Sequence, residues 1–194
     1  MNSTIQDILS RRSIRRFTQE GVSEQDLELI LRCGLYAANG GNHQVVRLTA
    51  ICDRAKLDEL ARLAREEFIQ MPIIEGQYWN TALRRARSAP DSYDFTFHAP
   101  VLILATAPAD WPNGMADSAG ALQNMQVAAW ALGLGACWVN QVHWLTKNAR
   151  IREHLSQYGF QEGEDVYGSI VLGHPDGPRP DPLPRKPGRV AIIP

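Results

Sequence analysis

Four arginines fall within six residues, Arg11, Arg12, Arg15 and Arg16, with Ser13 among them. Forked guanidinium N–H groups plus a hydroxyl are a donor set that holds a phosphate, which arginine does better than lysine. The same run also suits a solvated helix end whose cations complement the C-terminal dipole. A second polar group, Asn39-Gly40-Gly41-Asn42-His43-Gln44, sets two glycines among side chains that donate and accept. Glycine lets a flat ligand approach the backbone, and Asn and Gln amides read ring carbonyls and ring N–H groups. An ordinary helix C-cap and turn has this composition too. Tyr78, Trp79, Tyr93, Phe95 and Phe97 offer either an aromatic wall over a planar substrate or core packing. Near the end, Pro184-Arg185-Lys186-Pro187 adds two cations to an extended segment.

Other chemistries lack their residues. Gly133-Leu134-Gly135 follows a helical pattern instead of a strand, and Trp138 stands where a dinucleotide fingerprint has its third glycine. There is no Walker A run, no H-E-x-x-H and no G-x-S-x-G. The five histidines are scattered, and Cys33, Cys52 and Cys137 match no C-x-x-C or Cys/His ligand spacing; their apolar neighbours predict buried free thiols.

The elements that must position these residues follow from hydrophobic period and caps. Ser3 or Thr4 is expected to cap a short helix with Ile5, Ile8 and Leu9 on one face. Ser23 with Asp26 opens a second helix that keeps its period to Ala38. Residues 47–52 read as a strand, 53–70 as a helix, and 76–87 as a helix followed by a loop. Residues 101–107 form a continuous apolar run and read as a buried strand. Residues 115–132 form a long helix that is apolar almost all round, 136–139 a short strand, 147–157 a helix and 166–172 a strand. Seven of the 12 prolines lie from Pro175 onward, so the tail is extended, and its apolar end at residues 190–193 suggests that it lies on a partner surface.

The 194 residues (21.6 kDa) carry 20 Lys+Arg against 21 Asp+Glu. This balance argues against a polyanion partner such as nucleic acid. No apolar run spans a bilayer and the first residues lack a secretory core, so a cytoplasmic protein with no membrane association is expected. A folded monomer of this mass exposes roughly 9,200 Å². One core is affordable without disulfides, and no internal repeat or second core is visible.

In order, Arg11-Arg12-Ser13-Ile14-Arg15-Arg16-Phe17, Ala38 to Gln44, Ala131 to Trp138, Leu172-Gly173-His174-Pro175 and Pro184-Arg185-Lys186-Pro187 resemble the FMN-dependent nitroreductase family. The resemblance spans nearly the whole chain. It implies an α+β fold, a mostly antiparallel central sheet flanked by helices, assembled as an intertwined homodimer with FMN at the interface. Residues 1–194 would be a single domain, with 174–194 as a C-terminal extension over the partner.

By the same resemblance, Arg11, Arg12 and Ser13 would hold the FMN phosphate and ribityl chain, and Arg15 would approach the pyrimidine edge. Asn39 and Gly40 would lie beside the cofactor, and Asn42 and Gln44 would reach it from the other subunit. The backbone of Val139 and Asn140 would face the flavin, and Arg185, with Lys186 beside it, would return to the phosphate. The implied activity passes hydride from NADH or NADPH through FMN to a small electron-poor acceptor, a nitroaromatic or quinone. The alternative on this fold is a flavin-binding or flavin-consuming protein without nitroreductase turnover. The chain departs from the family where Pro-Ser commonly precedes the glycines and Pro-Trp follows the glutamine: it has Ala38-Asn39 and Val45-Val46.

Overall fold

The apolar run at the centre of the chain becomes a strand because both of its faces are covered. In a computed structural model, which describes residues 1–193, β2 (Val101–Pro108) pairs antiparallel with β1 (Arg47–Ile51) on one side and β4 (Glu164–Gly173) on the other. β3 (Gly135–Val139) pairs antiparallel with β4, which completes the order β1-β2-β4-β3. Side chains alternate across a strand, so Val101, Ile103 and Ala105 enter one core while Leu102 and Leu104 enter another.

The first core is closed by α5 (Gly114–Ala131), which turns Leu122, Met125 and Ala129 toward the sheet, and by α2 (Glu24–Leu35) packed on α5. The second is closed by α3 (Arg54–Phe68), α4 (Asn80–Ser88), α6 (Gln141–Trp144) and α7 (Ala149–Ser156), with Phe68 and Leu83 fully buried. The helix α1 (Ser3–Ser10) lies against α5.

Past α1 the chain meets the edge of β3: Ser13 bridges Ala136 in parallel, and Ile14 N–H donates to the Ala136 carbonyl at 3.0 Å. This bridge places the arginine run on the sheet edge. It depends on Gly135, because a Cβ there would lie 2.7 Å from Ile14 Cβ and 2.8 Å from its Cγ1. Gly135→Ala is expected to destabilise the fold by about 1–3 kcal/mol through overpacking, with a Tm fall of roughly 2–4 °C per kcal/mol. Thermal unfolding checks it, and an unchanged Tm contradicts the tight contact.

Several expectations are corrected. Asn2 caps α1, its side chain accepting from Thr4 N–H at 2.9 Å, because Asn caps as well as Ser and already lies outside the helix. Helix α2 stops at Leu35, three residues before Ala38, and Gly40–Asn42 form a single 3₁₀ turn. Gly76 takes φ +78° and α4 begins only at Asn80. Of the thiols only Cys137 is buried; Cys33 is partly covered and Cys52 exposed.

The chain exposes 11,265 Å², roughly 2,000 Å² more than a compact monomer of its mass. Part of the excess is α1, where Ile5, Ile8 and Leu9 are all exposed. Part is the tail. Its first residues are tied down: Thr18 N–H donates to His174 O, Asp176 N–H to Arg16 O, and Arg179 donates to the Trp130 carbonyl at 3.0 Å while lying 4.2 Å from its ring. Beyond these ties, Leu183, Val190, Ile192 and Ile193 are exposed.

Candidate functional site

The arginine run builds a concentrated cation. Arg11 follows α1 and donates its backbone N–H to Asp7 O, which turns its side chain toward β3 and Cys137. Arg11 Nη1 is buried without a hydrogen-bond partner. Burial lowers the Arg11 pKa from its ordinary value, and the charges of Arg185 and Arg12 lower it further. Arg12 also donates to the Asp181 carbonyl, which draws the tail to this point. A buried, unpaired N–H among like charges is costly unless an anion meets it. A helix dipole at α1 alone accounts for neither the burial nor the convergence of Arg185.

Arg15, Phe17, Val139 and Asn140 line an adjoining cavity of about 920 Å³, at the upper end of the ~300–1,000 Å³ of small-molecule sites. Tyr78, Tyr93, Phe95 and Phe97 line it as well. Trp79 instead packs with Trp144 at 6.3 Å, whereas Trp138 and Trp144, which the sequence did not single out, face the cavity. Phe97 and His98 both hold positive φ, 54° and 55°. Asp94 enforces that turn by accepting from Thr96 N–H at 2.7 Å and His98 N–H at 3.2 Å. Gln141, buried at the start of α6, donates to the Tyr93 hydroxyl.

The glycine loop lies elsewhere. Gly40 N–H donates to Asp117 Oδ1 at 2.9 Å, and Trp111 Nε1–H to Asp117 Oδ2 at 2.8 Å. Asn39 Oδ1 accepts from Gln44 N–H at 3.0 Å, and Gln44 Nε2 donates to Asn42 Oδ1 at 3.1 Å. Asn39 and Gln44 border a separate small recess with Asp117. The structure therefore gathers Arg11, Arg12, Ser13, Arg15, Val139, Asn140 and Arg185 in one region and keeps Asn39, Gly40, Asn42 and Gln44 in a second. Lys186 is exposed beside Arg185. Asp117 was missed as the support of the loop; a lone acid in an apolar helix was the available signal.

Residues 8–174 match the model of the Nitroreductase family. The chain belongs to this family. Among its family relatives is a protein named NADPH-flavin oxidoreductase from Vibrio harveyi, 31% identical over 194 residues, which cover 99% of this chain and 73% of the relative. The fold matches a crystal structure of a nitroreductase with bound FMN from Bacteroides fragilis NCTC 9343, at TM-score 0.89, 29% identity and full coverage of both chains. It also matches the NADPH:FMN oxidoreductase from Vibrio harveyi complexed with NAD+, at TM-score 0.71 and 26% identity over 99% of this chain and 76% of that one. Among the described residues, no three His, Cys, Asp or Glu side chains gather as metal ligands, and no helix is long and apolar enough to cross a membrane.

Proposed function

We propose that this nitroreductase-family chain is an FMN-dependent oxidoreductase that takes hydride from NADH or NADPH and delivers it to an electron-poor acceptor such as a nitroaromatic or quinone. The observation that carries the reading is the buried, unpartnered Arg11 Nη1 beside Arg12 and Arg185. That donor set fits the dianionic phosphate of FMN. When bound, FMN supplies the two-electron chemistry that no side chain here provides.

The chain's own residues supply position and field. Arg11, Arg12, Ser13 and Arg185 hold the phosphate end. Arg15 sets positive charge at the cavity, where it favours an electron-rich ring. Val139 and Asn140 form the wall against which the ring lies, and Ser169 Oγ steadies it by donating to the Val139 carbonyl at 2.8 Å. Aromatic side chains above the cavity exclude water and accept flat substrates. Asn39 has both amide atoms engaged within its own turn, so it shapes the loop that presents Gly40, Asn42 and Gln44.

The working unit is a homodimer. The excess surface, the exposed face of α1 and the apolar tail end support this. The glycine loop of one protomer then completes the site of its partner. Purified protein is expected to be yellow, to release FMN on denaturation, and to bleach anaerobically with NADH or NADPH. A colourless protein that takes up no added FMN overturns the reading. Bound flavin that neither nicotinamide bleaches leaves a flavin-binding protein without turnover.

A further inference from the structure

The cavity contains a cation that the flavin reading does not use. Helix α4 turns Thr81, Ala82 and Arg85 into it from one face. Beyond the helix ladder, the only hydrogen bond that Arg85 joins among the described residues is through its carbonyl, which accepts from Ser88 Oγ. The other charges lining the cavity are either paired or already used by the flavin reading. Arg16 pairs with Asp176 at 2.9 Å, and Asp94 is held by Thr96 and His98. Arg15 lies beside Cys137, whose thiol burial keeps neutral, and is the cation that the flavin reading sets at the ring.

Tyr93 lies within the field of Arg85, which favours its ionised form, but burial is the larger effect and holds the phenol pKa above its ordinary value. The hydroxyl therefore keeps its proton at neutral pH. Its partner is the Gln141 side-chain amide, whose Oε1 is otherwise buried without a partner. A free guanidinium fork and a protonated hydroxyl that line the same cavity suit an anionic oxygen group, carboxylate or phosphate. The aromatic lining around it suits a planar body.

We propose that Arg85 and Tyr93 form an anion-binding subsite in the cavity that takes the carboxylate or phosphate of a planar substrate. The proposal rests on the flavoenzyme reading for its meaning, since the same cavity then holds the redox centre. Two sources carry this chemistry: an aromatic acid as acceptor, or the additional phosphate of NADPH.

The test is calorimetric binding to the purified flavoprotein, with benzoate against benzamide in one arm and NADP+ against NAD+ in the other. In wild type the anionic member of one pair binds more tightly. Arg85→Gln lowers that preference about tenfold, as expected for one exposed charge-assisted contact. Tyr93→Phe, which keeps the ring and removes the O–H, lowers it a few-fold. Loss in the benzoate arm assigns the subsite to an acid acceptor, and loss in the NADP+ arm assigns it to the dinucleotide phosphate. If both substitutions leave both preferences unchanged, the subsite does not exist. The visible spectrum of the same preparation reports flavin independently. A colourless protein whose benzoate preference disappears in Arg85→Gln rejects the flavoenzyme reading and keeps the subsite.

Discussion

Arg11→Ala weakens FMN binding by about 1.5–3 kcal/mol, roughly tenfold to more than a hundredfold in Kd, the worth of one charge-assisted hydrogen bond to phosphate. Burial makes this arginine the stronger of the pair; Arg185 is exposed, so Arg185→Ala falls at the lower end of that range. The substitution has an opposite effect on the empty protein. It removes a partly buried guanidinium that is repelled by Arg12 and Arg185 and has an unpaired N–H. The FMN-free protein is therefore expected to keep or raise its Tm, while the gain in Tm on adding FMN shrinks. A fluorescence titration of released FMN, paired with thermal scans with and without FMN, reads both. Unchanged FMN affinity in both arginine variants rejects the phosphate assignment. A lower Tm without FMN shows instead that Arg11 is structural.

The same arginine shows what the sequence disclosed and what it withheld. The clustering of Arg11, Arg12, Arg15 and Arg16 around Ser13 is local, so it could be read directly. The approach of Arg185, 174 positions after Arg11, was legible only through resemblance, because no periodicity reports a contact at that separation. β2 was legible because a strand covered on both faces leaves an unbroken apolar run. Helix α6 was not, since four residues complete barely one turn and carry no period. The loop around Gly40 was visible as composition. Its support, Asp117, lies 77 positions away and only the folded chain brings the two together. Trp138 and Trp144 were hidden for a related reason: strand and helix ends decide which aromatic rings face a cavity, and those ends are where pattern reading is weakest.

Replacing Ile192 and Ile193 with Asp converts the proposed dimer to monomer at micromolar concentration. In one chain these side chains are 88% and 87% exposed, and Val190 beside them is 84% exposed. Full burial of each is worth about 1.5–3 kcal/mol, so losing two costs about 3–6 kcal/mol per tail. A two-fold dimer has two such tails, so the loss is about 6–12 kcal/mol in all. The dimer constant then weakens by at least four orders of magnitude, before the cost of forcing a carboxylate into an apolar seat. Sedimentation velocity measures the shift, and a variant that stays dimeric shows that the tail end carries no assembly energy. The fold of each protomer is expected to survive, since both core clusters are closed without the tail. FMN tests the geometry further. In one chain the arginine group and the glycine loop occupy different regions, with Asn39 and Gln44 beside a recess of their own. If the partner's loop completes each site, monomerisation must release FMN as well, although neither substituted residue is itself one of the arginines that hold the phosphate. A monomer that retains full FMN affinity would mean that the arginine end of a single chain is sufficient, and that the glycine loop belongs to a different task.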